Sequence, residues 1–221
     1  MIFLRIIFFV LILVFQVSFL LPAHSMPPEE VVNAARNGLK NFLAAVQPQD
    51  LKILGFLNQS EADNAELGEG FQLYTIHPDD VLSYRENLGD LSSMLIPTDE
   101  WQFIILTKGQ AKSLLTVDLM GNRWEAVGIG GARLARQLAE IVERYPSNAG
   151  YGHKFIRLYQ ARSDFVEISN EGRTIGIIPL VSARIAMGLQ QHELEVSDLF
   201  GLGDIISRMA PIVRKNVEAE K

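Results

Sequence analysis

The sequence predicts an α+β domain in which two β-meander-plus-helix units build one antiparallel sheet, flanked by N- and C-terminal amphipathic helices. Three observations carry that expectation. Short apolar runs separated by glycine-bearing turns fill 101–129 and 154–181. Each group of runs passes into a stretch with helical spacing. Apolar residues also recur at three- and four-residue intervals near both ends of 26–221.

The first 25 residues stand apart from that domain. Arg5 precedes an unbroken apolar run from Ile6 to Phe15, and Ala23-His24-Ser25 follows before Met26. A basic start, an apolar middle and small residues two apart make an export signal with a cleavage site after Ser25. The expected organisation is therefore a signal peptide over 1–25 and one domain over 26–221, periplasmic or extracellular. A membrane is a partner only if the N-terminal segment is retained as an anchor.

Within the domain, Pro27-Pro28-Glu29-Glu30 reads as a helix start, because proline suits a first turn and acids favour the positive end of the helix dipole. Val31, Ala35, Leu39, Phe42, Leu43 and Val46 then predict an amphipathic helix over 29–46, with Gly38 costing it about 1 kcal/mol relative to alanine. The polar stretch from Leu57 to Gly70, rich in Asn, Glu and Gly, reads as a surface loop. Phe71 to Ile76 alternates as a strand. His77-Pro78-Asp79-Asp80 then opens a short helix reaching about Leu88, and a further loop runs to Pro97.

Trp101 to Thr107, Ser113 to Leu119 and Arg123 to Ile129 read as strands, turned at Lys108-Gly109-Gln110 and Met120-Gly121-Asn122. Ala132 to Tyr145 is helical. Lys154–Tyr159, Phe165–Ser169 and Thr174–Val181 are the next strands, with a turn at Asn170-Glu171-Gly172-Arg173. Ser182 to Leu189 is a helical turn. Ser197 caps a last helix, in which Ile205, Met209, Ile212, Val213 and Val217 are spaced for burial.

A shift of 51 residues aligns Leu114–Leu138 with Phe165–Leu189 without a gap, and five of the 25 positions are identical. About one or two identities are expected from average composition. Gly121 falls on Gly172, and Ala132-Arg133-Leu134-Ala135 falls on Ala183-Arg184-Ile185-Ala186. The sequence thus predicts an internal repeat, over about 101–145 and 152–190.

Composition excludes several chemistries. The chain carries a net charge of −6, and its longest basic cluster, Arg214-Lys215, is two residues. Nucleic acid is not an expected partner, because counterion release needs clustered cations. There is no cysteine, which removes thiol catalysis, thiolate zinc and cysteine-ligated iron–sulfur clusters.

The remaining motifs are incomplete. Gly128-Ile129-Gly130-Gly131 has Arg133 where a dinucleotide fingerprint needs its third glycine, so it reads as a tight strand-to-helix turn. His192-Glu193 has Val196 where a zinc helix needs its second histidine. His77, Asp79 and Asp80 form a possible metal set that reads better as a helix start. His153, Ser163 and Asp164 supply the residue types of a hydrolase triad, without the G-x-S-x-G elbow. Glu167 with Glu171, or Asp99 with Glu100, could pair as acid and base.

Arg133 and Arg184 are singled out because the repeat places both at helix starts, where a cation is unfavourable unless paired with an acid or with an anionic partner.

In layout, strands followed by a helix and used twice after an export signal, the region 101–190 resembles the exported chaperones associated with protein import in cyanobacteria and plastids. The resemblance is one of architecture.

The expected function is that of an exported, non-catalytic protein that binds another protein or a cell-envelope component. Arg133 and Arg184 are its candidate partner or anion contacts, and no cofactor is expected. The alternative is an envelope hydrolase using His77, His153 or paired carboxylates.

Overall fold

The computed structural model describes residues 26–85, 91–189 and 199–219. Among them, six α-helices accompany a single seven-stranded mixed sheet. The fold is α+β. Helix α1 (Glu29–Ala45) places Glu29 and Glu30 in its first turn and buries Val31, Ala35 and Leu39, one turn apart, against the sheet. Each buried valine or leucine there contributes about 1.5–3 kcal/mol. Gly38 has a structural reason: a Cβ at that position would overlap Ala126 Cβ on the sheet beneath.

The stretch read as a loop over 57–70 is ordered, and that expectation is corrected. Helix α2 (Gln59–Asp63) is capped by Asn58, whose side chain accepts from the Glu61 amide at 3.1 Å. The Glu61 carboxylate accepts in turn from the Leu57 amide at 2.8 Å. Strand β1 (Glu66–Thr75) then begins five residues earlier than composition suggested. Its glycines and acids are compatible with a strand because tertiary pairing with a neighbour outweighs weak intrinsic propensity. Helix α3 (Pro78–Ser83) starts at His77 and is shorter than expected, since Tyr84 has already left helical geometry.

Strands β2 (Ile96–Thr107), β3 (Gln110–Met120) and β4 (Arg123–Gly130) follow as a meander, and helix α4 (Ala132–Arg144) leaves it. Strands β5 (Tyr151–Leu158), β6 (Ser163–Asn170) and β7 (Arg173–Pro179) form a second meander, and helix α5 (Val181–Ala186) leaves that one. Gly172 takes φ +75° beside Glu171 at φ +49°, the pair of positive angles that a two-residue hairpin requires. Helix α6 (Leu202–Ala219) ends the described chain; the expected cap Ser197 lies outside the described residues.

The strands lie in the order β4-β3-β2-β1-β5-β6-β7. Every neighbouring pair is antiparallel except β1 and β5, which run parallel. The all-antiparallel expectation is therefore corrected. The cause is the connection: α4 carries the chain from one edge of the sheet across to the far side of β1, and β5 enters in the β1 direction, as a crossover allows.

Alternation along the strands divides the core between the two faces. Leu138 and Ile141 of α4 pack over Phe71, Leu73, Ile104, Phe155 and Val166 on one face. On the other face α1 covers Trp101, Phe103, Ile105, Leu115 and Val117, while α6 covers Ile76, Ile156, Leu158, Phe165 and Ile177. The second face thus has two covers, one on each side of the central strands.

Candidate functional site

A groove of about 1110 Å³ opens beside α1. Val32, Leu39 and Leu43 of α1 form an apolar wall, with Arg36 and Lys40 on the same side of the helix. Leu67, Gly68, Glu69 and Gly70 of β1 line the opposite part, and Gly152, His153 and Lys154 of β5 complete it.

The groove exists because β1 and β5 part company. Their ladder consists of Leu73↔Phe155 and Tyr74↔Ile156. Toward the start of β1 no further pair with β5 forms, although β1 pairs with β2 from Glu66↔Leu106 to Thr75↔Ile96. A register shift between Leu67 and Gly70 bends β1 in this region. The small floor residues add depth: a Cβ at Gly70 would stand 2.5 Å from the Phe103 ring, and one at Gly152 would stand 2.7 Å from Ser169 Oγ.

A polar cluster sits where the two strands separate. Glu69 Oε1 lies 2.6 Å from His153 Nδ1, and Ser147 Oγ donates to the same carboxylate at 2.9 Å. His153 Nε2 lies 2.9 Å from the Tyr145 carbonyl. A carbonyl can only accept, so Nε2 carries a hydrogen. The other ring nitrogen faces the Glu69 carboxyl.

This arrangement decides what the histidine can do. A hydrolytic triad needs a serine hydroxyl that gives its proton to an imidazole nitrogen. Here Ser147 gives its hydrogen bond to Glu69, and both ring nitrogens of His153 are engaged elsewhere. The geometry orients a ring and ties β1, β5 and the segment after α4 together. It does not activate a nucleophile.

The residues expected to join His153 are placed otherwise. Ser163 is fully buried and donates to the Ala161 carbonyl at 2.9 Å. Asp164 accepts from Arg157 Nε at 2.8 Å, and Glu100 lies 4.0 Å from the same guanidinium. Although burial opposes the Arg157 charge, its hydrogen bond to Asp164 and the neighbouring carboxylates hold its pKa above the ordinary value. Tyr159 is pushed up by burial and then by Glu100.

His77 is exposed at the N-cap of α3, with Asp79 and Asp80 in the first turn. Asp99 and Glu100 are consecutive in β2, within the irregular stretch where its pairing with β1 shifts between Pro97 and Trp101, and Glu100 lies beside Arg157. Glu167 is 4% exposed and pairs with Lys154 at 2.7 Å, while Glu171 sits in the β6–β7 turn. Lys154 in turn lies 5.5 Å from the Tyr74 ring centre, whose phenol is raised by burial against the opposing charge of that lysine.

Of the two arginines, Arg133 is exposed in the first turn of α4 and makes no ion pair among the described residues. Arg184 is 4% exposed within α5 and is not free. The structure does not bring these two residues into the groove lining. The groove residues Glu69 and Ser147 carried no sequence signal of their own, and Glu69 fell in the stretch read as a loop. Only the helical spacing that singled out Leu39 and Leu43 pointed toward the wall, and Val32 was not part of it.

No protein-family profile matches the chain, and no curated protein or solved structure is significantly similar to it.

Proposed function

We propose that this chain is an exported, non-catalytic protein whose groove beside α1 binds segments of polypeptide. The observation that carries the reading is the groove itself, about 1110 Å³ with an apolar wall of Val32, Leu39 and Leu43. A concave apolar surface with a few polar groups is the usual form of a binding site. Export rests on the order of Arg5, the run Ile6–Phe15 and Ala23-His24-Ser25. The absence of catalysis rests on His153, whose ring nitrogens are both committed.

The duplicated architecture belongs to the same reading. The two meanders derive from one unit repeated at a 51-residue offset, supported by Gly121 at φ +67° and Gly172 at φ +75° in equivalent turns. The N- and C-terminal amphipathic helices flank these units on one face, and the groove opens beside the first of them. The layout resemblance to exported import-associated chaperones agrees with a polypeptide as ligand. Arg133 remains an exposed cation available to an acidic partner.

The test is binding of a fluorescently labelled unfolded polypeptide, followed by anisotropy. Ala44 lines the groove and is exposed, so Ala44→Trp fills the space while leaving the helix able to form. The expected result is saturable binding that Ala44→Trp weakens about tenfold, a change of about 1.4 kcal/mol. Absence of saturable binding, or binding indifferent to Ala44→Trp, overturns the reading.

A further inference from the structure

We propose that the segment taken by the groove is an amphipathic α-helix laid along α1. The inference rests on the reading of the groove as a polypeptide site, and it names the conformation and charge pattern of that polypeptide.

The floor of the groove selects against an extended ligand. Glu69 of β1 lies 2.6 Å from His153 of β5 and accepts from Ser147 at 2.9 Å. The His153 side chain is 3% exposed, and its ring centre stands 5.8 Å from that of Phe71. These contacts close the seam between the two strands, and the register shift between Leu67 and Gly70 breaks the alternation of β1. No regular strand edge is offered to a ligand. A polypeptide that displaces water from the apolar wall must therefore satisfy its own N–H and C=O groups. A helix does so within one segment.

The wall is patterned for that shape. Val31, Ala35 and Gly38 turn toward the sheet, whereas Val32, Arg36, Leu39 and Leu43 border the groove at intervals of four, three and four residues. That is the spacing with which one helix receives the side chains of another. Val32 and Leu43 are half-buried, so the stripe keeps apolar surface for a partner. It runs about 16 Å along the helix axis, or three turns. A helix of that length, half-sunk and about 11 Å across, displaces about 800 Å³, which the 1110 Å³ of the groove accommodates.

Charge complementarity narrows the occupant further. Arg36 interrupts the apolar stripe and Lys40 stands one turn beyond it, while Asp63 and Glu66 stand at the entry to β1. All four line the groove without an ion pair among the described residues. The complementary helix carries acids on the flank that meets α1 and bases on the other. One acid opposite Arg36 fixes its register.

The experiment uses the protein recovered after expression of the full chain and a labelled peptide of about 18 residues, long enough for a helix. The peptide has leucines at alternating four- and three-residue intervals, glutamates on one flank and lysines on the other. A second version carries two central prolines, and a third exchanges the glutamates and lysines. Anisotropy reads binding, and circular dichroism reads helix gained on mixing. The expected result is that the parent binds with a gain of helix and that the proline version binds at least about tenfold more weakly. Arg36→Glu is expected to narrow the preference for the parent over the exchanged version.

If the proline version binds as tightly as the parent, or the parent binds without gaining helix, the helical segment is overturned while the polypeptide reading survives. A preference untouched by Arg36→Glu overturns the placement along α1. If neither these peptides nor an unfolded polypeptide binds, both readings are overturned. Capture of a fluorescent fatty acid in the absence of polypeptide binding would replace them with a lipid site.

Discussion

Gly38 of α1 rests directly on Ala126 of β4, with no room for a side chain between them. The glycine that weakens the helix in isolation is the one that lets it lie close to the sheet. Gly38→Ala is expected to destabilise the protein by about 1–3 kcal/mol through overpacking, despite its gain in helix propensity. Ala126→Gly in the same chain should restore most of the loss. Urea denaturation of the two single variants and the double variant measures the coupling, and simple additivity would contradict the contact.

Removal of the His153 ring takes this partner from the Tyr145 carbonyl and leaves the Glu69 carboxylate with Ser147 alone. His153→Ala is expected to cost about 2–4 kcal/mol, because both hydrogen bonds of a buried ring are lost and its packing is lost with them. Ser163→Ala is expected to leave the His153 ring resonances unchanged, since Ser163 bonds to Ala161 instead. A shift of those resonances in Ser163→Ala would indicate the triad that the geometry rejects.

The Tyr145 hydroxyl is buried with no hydrogen-bond partner among the described residues, while its ring packs edge-on against Tyr151 at 5.4 Å. Tyr145→Phe keeps the ring and removes the unpaired group. Thermal unfolding should show stability unchanged or raised by up to about 1 kcal/mol. A clear loss would mean that the hydroxyl is paired.

The Glu61 carboxyl is held below its ordinary value of 4.5, first by the Leu57 amide and then by Lys112 at 3.0 Å. A carboxyl with a depressed folded-state pKa contributes stability above its unfolded value and loses it as pH falls through the folded one. The contribution is thus complete at neutral pH and declines below 4.5. Glu61→Gln should lower stability at neutral pH and flatten the acid limb of a stability–pH curve measured in urea. An acid limb identical to that of the parent would remove Glu61 from the account.

The local pattern made much of the fold legible. Lys108-Gly109, Gly121 and Glu171-Gly172 marked three of the four hairpin connections within the two meanders, and Leu138 and Ile141 marked the buried side of α4. What stayed hidden depends on partners far away in sequence. Glu66-Leu67-Gly68-Glu69-Gly70 has the composition of a loop and becomes a strand only through pairing with β2. The parallel joint of Leu73 with Phe155 connects residues that no local periodicity relates. The candidate site lies at that joint. His153 was visible as a histidine, but its partner Glu69 is 84 residues distant and was masked by its loop-like surroundings.

The order in which the chain is made gives the parallel joint another meaning. Strands β1 to β4 lie within 66–130 and complete one half-sheet before β5, which begins at Tyr151, has been synthesised. During that interval the whole β5-facing edge of β1 is open, and an exposed strand edge is a template for pairing with other chains. Glu66 and Glu69 place negative charge along that edge. Charge beside an exposed strand edge disfavours pairing with other chains, so Glu66 and Glu69 are placed to protect β1 until β5 arrives and closes its far end.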